Sequence, residues 1–444
     1  MGLIKRNEKV VFGWSMYDFA NSAFATTISA VIFNKYFAGV VAGGEKGIEL
    51  KFFFWNLHIP GSSFYNFTVS TAMIIVAVSS PILGAIADYS NSKKRFLQVY
   101  CYTACIFTGL LYFVKEGDYW LGAFFFIIAN IGFSGGNVFY NAFLPEISDL
   151  KDMGKVSGLG WALGYIGGGG CLLLNLIMLN HPQLIGFEKG FFTIHHCFLS
   201  VGIWWIIFSI PTFLLLKENR ILNENKGLQF YIKTGYKRVK KTLKEIKKFK
   251  ELVKFLVAFL IYNDGIQTVI IMASIFGDQV LKMTSTELII YFLVIQGTAF
   301  FGSIIFGYIV DIINNKKTIL ITLFIWCIIV IWAFFIGVFI DAKTEYWILG
   351  ILAGLVLGGS QSASRSLQGS FTPAKNSAEF FGFYAIANKF ASIFGPLVFG
   401  IITLLTGNLK TGILALIVFF ITGMILLHFV DEKKGIMQAR YKIN

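Results

Sequence analysis

Gly84-Ala-Ile-Ala-Asp88, with Lys93, Lys94 and Arg95 behind it, returns as Gly307-Tyr-Ile-Val-Asp311, with Lys316 and Lys317 behind it. The copies lie 223 residues apart in a chain of 444, and Pro145 and Pro373 echo that offset at 228. The chain therefore reads as two related halves. In each half the motif closes one long apolar segment and another begins a few residues later, so it forms a tight loop between two membrane helices. That arrangement points to a transporter.

Hydrophobic residues make up 56% of the chain and charged residues 14%, outside the balance of a soluble domain. A helix needs about 20 mostly apolar residues to cross a bilayer. Twelve stretches qualify: 11–40, 67–90, 96–114, 119–145, 156–179, 194–216, 255–280, 286–312, 318–340, 346–372, 380–406 and 411–430. Lipid cannot satisfy an open strand's backbone, and the short alternating segments of a barrel are missing. The expected fold class is all-α integral membrane, twelve transmembrane helices in two six-helix pseudo-symmetric bundles. Residues 1–216 form the N-terminal bundle, 217–254 a basic linker, and 255–444 the C-terminal bundle with a short tail.

The net charge of +14 would also suit a nucleic-acid binder, but the location of the charges decides otherwise. With a cytoplasmic amino terminus, 28 Lys and Arg residues fall on cytoplasmic segments and 7 on the other side (Lys46, Lys51, Lys115, Lys189, Lys282, Lys343 and Lys410). Lys35, Arg365 and Lys389 lie inside spans. The asymmetry places both termini in the cytoplasm and accounts for the basic pI without nucleic acid. The linker holds thirteen basic and four acidic residues. Val239, Leu243, Ile246, Phe249, Leu252, Val253 and Leu256 recur there at helical spacing, which predicts an amphipathic helix on the cytoplasmic leaflet; a solvated charged linker is the alternative. Cys101, Cys105, Cys171, Cys197 and Cys327 all sit in spans and read as small packing residues, without a disulfide or zinc framework. The loop 41–66 carries Phe52, Phe53, Phe54, Trp55, Phe64 and Tyr65, residues that favour a membrane interface. The first span shows no cleavage site and reads as a retained helix.

Charged and amide groups inside a span are costly and usually face a cavity or one another. Here they gather on every third span: Asp18 and Asn21 on the first, Asn137 and Asn141 on the fourth, Asn263, Asp264 and Gln267 on the seventh, Gln361, Arg365 and Gln368 on the tenth. Spacings of three and four put each set on one helical face. In four three-helix repeats these spans are equivalent, which implies a shared central cavity. Asp18, Asp264, Arg365 and Lys389, the last beside Asn388, fall at similar depth. Two readings stand: structural ion pairs, or a site for a zwitterionic or charged solute with an Asp as the coupling group. Arg365 is the candidate for an anionic substrate group, because its guanidinium can hold a carboxylate through two hydrogen bonds.

The repeated motif forms the second constellation. Gly84 and Gly307 let helices approach closely. Asp88 and Asp311 stand at helix ends, where each can pair with a base such as Arg95 or Lys317 or cap a neighbouring helix amino terminus. Such contacts can form in one conformation and break in another, which suits a gate. The clusters Gly135-Gly136, Gly167 to Gly170 and Gly358-Gly359 lack the ending of a phosphate loop and read as helix-packing sites. His58, His181, His195, His196 and His428 have no metal-binding spacing, and no nucleophile has a base beside it. No enzyme activity, cofactor or metal is expected.

Tyr17-Asp-Phe-Ala-Asn-Ser-Ala-Phe-Ala-Thr-Thr27, Gly160-Trp-Ala-Leu-Gly-Tyr-Ile-Gly-Gly168, Gly358-Gly-Ser-Gln-Ser-Ala-Ser-Arg-Ser-Leu367 and Ala378-Glu-Phe-Phe-Gly-Phe-Tyr384 carry a more specific likeness. With them the chain resembles the major facilitator superfamily, and within it the vacuolar amino-acid effluxer-like branch related to the autophagy-linked effluxers of fungi. One departure is that the second motif copy ends Asn314-Asn315-Lys316-Lys317 without an arginine. The resemblance implies secondary active transport of small solutes, amino acids in the fungal relatives, by alternating access. The alternatives are an exporter of amphipathic or drug-like compounds and a non-transporting receptor or scaffold. The implied partners are a small-molecule substrate, a proton as candidate coupling ion, and membrane lipids, with no nucleic acid and a monomeric state. The compact length and short tails resemble bacterial members, which would place it in the cytoplasmic membrane.

Overall fold

The computed structural model describes residues 2–52, 55–218 and 227–441. Phe53 and Phe54 of the loop, Arg220, Glu224 and Lys226 of the linker, and Lys442 of the tail lie outside the described residues. Among those described, twelve helices are long and apolar enough to cross a membrane. In order they are Glu8–Val41, Gly61–Ser90, Lys93–Phe113, Tyr119–Ile147, Met153–Asn180, Ile194–Leu215, Ile246–Gln279, Thr286–Ile313, Asn315–Phe334, Ala342–Ser370, Ala374–Thr406 and Leu409–His428. The protein is a multi-pass integral membrane protein.

The first span contains two widened turns, Phe24–Val31 and Phe37–Val41, where Ile32 N–H reaches back to Thr27 O and Ala42 N–H to Phe37 O. The first of them coincides with the β-branched run Thr26-Thr27-Ile28, whose side chains crowd an ordinary helical turn. The second span starts six residues earlier than expected because the loop before it is a hairpin, Ile48–Phe52 paired antiparallel with Trp55–Ile59. Gly61 then opens the helix directly against the first span; a Cβ there would lie 2.1 Å from Ala38 O.

The eleventh span departs most from its expected form as one helix, 380–406. It is two helices, Ser377–Phe390 and Phe394–Thr406, interrupted at Ala391-Ser392-Ile393. Pro396 supplies one cause, since it has no N–H and its ring would strike the carbonyl of Ser392 in a continuous helix.

The chain forms two compact units that cut across the two sequence halves. The first comprises residues 1–80, 90–140 and 166–223. The second comprises 224–444 together with 81–89 and 141–165. Among the clustered glycines, Gly167 and Gly358 sit where backbones meet, whereas Gly135 and Gly359 face the rings of Tyr100 and Phe306. In the first unit a Cβ on Gly167 would lie 2.0 Å from Phe19 O; in the second, one on Gly358 would lie 2.3 Å from Ala299 O. All five cysteines are buried and free.

The linker holds a helix, Leu228–Lys244, and a short 3-10 turn, Ile246–Phe249, which opens the seventh span. The expected apolar stripe is therefore divided: Leu243 is exposed on the linker helix, whereas Phe249 in the turn and Leu252 beyond it are buried. Within the second unit Gly235 seats this helix on the second span, with its Cβ position 2.6 Å from Ile86 Cγ1.

Candidate functional site

Gly84 lies against the start of Ser377–Phe390, so close that a Cβ would meet Ala378 O at 2.3 Å. The approach brings Asp88, four residues on, to the first turn of that helix, where Oδ1 accepts from Ala378 N–H at 3.1 Å and Oδ2 from Glu379 N–H at 2.9 Å. The second copy repeats the arrangement. Gly307 meets Gly154 O at 2.9 Å from its Cβ position, and Asp311 accepts from Gly154 N–H at 3.0 Å and Lys155 N–H at 3.2 Å, in the first turn of the fifth span. In both copies a carboxylate answers the second and third N–H groups of a helix, the orphan donors at its positive end.

The basic run behind each motif works one residue earlier than expected. Arg95 and Lys317 are exposed and, among the described residues, hold no ion pair. Lys94 Nζ instead donates to Leu216 O at 2.7 Å, and Lys316 Nζ to His428 O at 2.7 Å and Val430 O at 2.8 Å. Glu218 caps Lys94 N–H at 3.2 Å, while Glu432 caps Asn315 N–H at 3.2 Å and Lys316 N–H at 2.9 Å. One residue turns a helix by about 100°, which takes Arg95 and Lys317 off the face that meets the preceding or following chain. The glutamates stand far from the motif in sequence, and its spacing gives no sign of them.

In the first unit, Asp18 accepts from Tyr140 Oη at 2.9 Å, and Asn21 donates to Asn137 Oδ1 at 2.7 Å. Trp14 stacks on Tyr140 with ring centroids 4.5 Å apart and donates from Nε1 to its carbonyl at 2.8 Å. Neighbouring polar positions on the first and fourth spans thus meet, as the shared helical faces suggested.

In the second unit, Arg365 is 2% exposed. Its Nε donates to Ser157 Oγ at 3.1 Å, Nη2 to Ser157 O at 2.6 Å and Nη1 to Asn141 Oδ1 at 3.4 Å, and the guanidinium lies 5.0 Å from the Trp161 ring centroid. Gln361, one turn earlier, accepts from Tyr165 Oη at 2.7 Å. Ser157, Trp161 and Tyr165 were absent from the expected site because the fifth span lies outside the every-third-helix pattern. Their spacing of four residues, which puts them on one face, was the available signal.

Among the described residues Asp264 has no lysine or arginine partner. Its carboxylate accepts Phe394 N–H at 3.0 Å and Gly395 N–H at 2.9 Å, capping the second half of the broken eleventh span. Gly395 permits this, since a Cβ would lie 2.0 Å from Thr268 Oγ1 and 2.7 Å from Asp264 Oδ1. Beside the cap Asn263 donates to Asn388 Oδ1 at 2.9 Å. Gln267 and Lys389 are partly buried, and among the described residues neither has a hydrogen-bond or ion-pair partner. Gln368 donates to Phe380 O at 3.2 Å and braces the turn between the tenth and eleventh spans.

A family model described as "Vacuole effluxer Atg22 like" matches residues 6–440. The chain belongs to this family. It is 31% identical to the uncharacterised major-facilitator-type transporter YxiO of Bacillus subtilis, over 97% of both chains. It is 25% identical to autophagy-related protein 22 of Kluyveromyces lactis, over 98% of this chain and 95% of the other. Among solved structures, the proton:xylose symporter XylE superposes with a TM-score of 0.72 at 12% identity, over 97% of both chains. A bacterial homologue of the iron transporter ferroportin, in an outward-facing state, follows at 0.66 and 11%, over 95% of this chain and 98% of that one. These likenesses establish the major facilitator fold, and this effluxer-like protein is a membrane transporter of that type.

Proposed function

We propose that the protein is a secondary transporter that moves amino acids or similar small zwitterions by alternating access, in a bacterial cytoplasmic membrane with both termini inside. The pair of matched carboxylate caps carries this reading. Asp88 and Asp311 each tie the end of one helix to the amino terminus of another through two N–H bonds, and each contact separates as a unit when the helices part. Two equivalent clasps in a duplicated fold suit a two-state element.

The substrate side of the reading rests on the second unit. Arg365 already directs its donors to Ser157 and Asn141, so it acts as a strut whose loss loosens the fifth and tenth spans. Lys389 is the base left for a substrate carboxylate, with the Asn263–Asn388 pair and Gln267 as neutral hydrogen-bonding groups on the adjoining surfaces. Asp18 in the first unit is the candidate coupling acid. Purified protein in proteoliposomes, offered a panel of labelled amino acids with and without a proton gradient, should accumulate at least one of them in a gradient-dependent manner. Accumulation of amphipathic cations alone, or of nothing, overturns the amino-acid reading.

A further inference from the structure

The linker helix Leu228–Lys244 presents three different strips. One packs on protein: Gly235 meets Ile86 Cγ1 at 2.6 Å and Ile82 O at 2.9 Å from its Cβ position. On the same side Arg238 lies over the Tyr89 ring at 5.9 Å, and Tyr231 sits 6.4 Å from that ring. At 3.6 residues per turn, the next strip holds Ile232, Tyr236 and Leu243, which are 51%, 60% and 53% exposed. The third holds Lys233, Lys237, Lys240, Lys241 and Lys244, all exposed. Glu245, the acid that follows, is already paired with Lys248 at 2.9 Å, which holds its carboxyl below the usual range.

Position supplies the independent constraint. Ile82 and Ile86 belong to the last turns of a membrane span that ends at Ser90, so a helix lying on them sits where acyl chains give way to headgroups. There an exposed apolar strip bordered by lysines fits a bilayer surface and is unfavourable in water. The same two turns carry Gly84 and Asp88 of the clasp on Ala378 and Glu379.

We propose that the linker helix docks on anionic phospholipid and, by holding the 82–89 segment in place, makes membrane charge a regulator of the Asp88 clasp. The apolar strip would enter the acyl boundary while the lysines meet headgroups; each lysine near an anionic surface favours the docked state about fivefold. A surface that binds the helix only when it is seated on Ile86 shifts the equilibrium toward the clasped state. The idea extends the clasp reading but makes no use of substrate identity.

The test uses full-length protein in nanodiscs of phosphatidylcholine, with or without one-third phosphatidylglycerol, followed by hydrogen exchange in peptides covering 229–244 and 377–384. The second peptide contains the two N–H groups that Asp88 holds. Phosphatidylglycerol should slow exchange several-fold in both peptides, high salt should abolish the effect, and replacing the five lysines by glutamine should make both indifferent to lipid charge. A peptide covering 258–268 should exchange alike in the variant and the wild type, which shows that the variant is folded. Exchange insensitive to phosphatidylglycerol overturns the docking. A lipid response confined to 229–244 overturns the coupling, and equal protection from inorganic phosphate added to phosphatidylcholine discs overturns the membrane as partner. Because no transport is measured, failure of the amino-acid reading would leave these outcomes unchanged.

Discussion

Arg365 was the expected holder of an anionic substrate group, and its surroundings separate it from Lys389. Three guanidinium donors of Arg365 already end on Ser157 and Asn141. Arg365→Lys should therefore lower the thermal midpoint, because a point charge cannot reproduce the fork and leaves the Ser157 carbonyl short of a partner. Lys389→Ala should leave the midpoint nearly unchanged and weaken substrate binding about 10- to 100-fold, the worth of one charged hydrogen bond. Thermal unfolding and calorimetry on both variants decide the matter, and the opposite pattern would return the substrate role to Arg365. Asp88→Asn addresses the clasp. It keeps an acceptor for one N–H but removes the charge that suits a helix amino terminus, a loss of about 1–2 kcal/mol. Transport rate should change by about tenfold while equilibrium substrate affinity changes little; loss of binding at an unchanged rate would contradict the gating role.

At the scale of elements, the broken eleventh span depends on three residues acting together. Pro396 denies the chain a continuous helix, Asp264 satisfies the donors of the second half, and Gly395 leaves the space in which both oxygens fit. Gly395→Val should lower the thermal midpoint, at an overpacking cost of about 1–3 kcal/mol, because Thr268 Oγ1 and Asp264 Oδ1 occupy the side-chain position. An unchanged midpoint would mean that the break is loosely packed and the cap dispensable. The sequence showed Asp264 as one of several in-span acids and could not show this pairing, since Asp264 and Gly395 are 131 residues apart and belong to different spans.

For the whole molecule, the distribution of basic residues predicts a definite sidedness. Single cysteines at Lys46 and Lys233, both exposed, should react with an impermeant maleimide from opposite faces of a sealed vesicle, with Lys233 on the cytoplasmic side; reaction from one face would refute the topology. The twelve spans, the duplication and the family likeness were all legible in the chain. The first two follow from local composition and from the recurrence of a short string, the third from the resemblance of four motifs to a known family, and none needs knowledge of what lies next to what.

The sequence by itself determined that the chain spans a membrane twelve times, because about 20 consecutive apolar residues have few other stable environments. It also determined that Gly84 with Asp88 and Gly307 with Asp311 hold equivalent positions at span ends, because a repeated string in a repeated setting meets the same physics twice. The tertiary structure alone decided which donors those carboxylates answer, that Lys94 and Lys316 rather than Arg95 and Lys317 reach a neighbouring chain end, and that, among the described residues, Arg365 is engaged while Lys389 is not. Hydrogen bonding is short-ranged and directional. A rotation of about 100° or the presence of a single Cβ changes a residue's partners without changing the hydropathy by which a span is recognised.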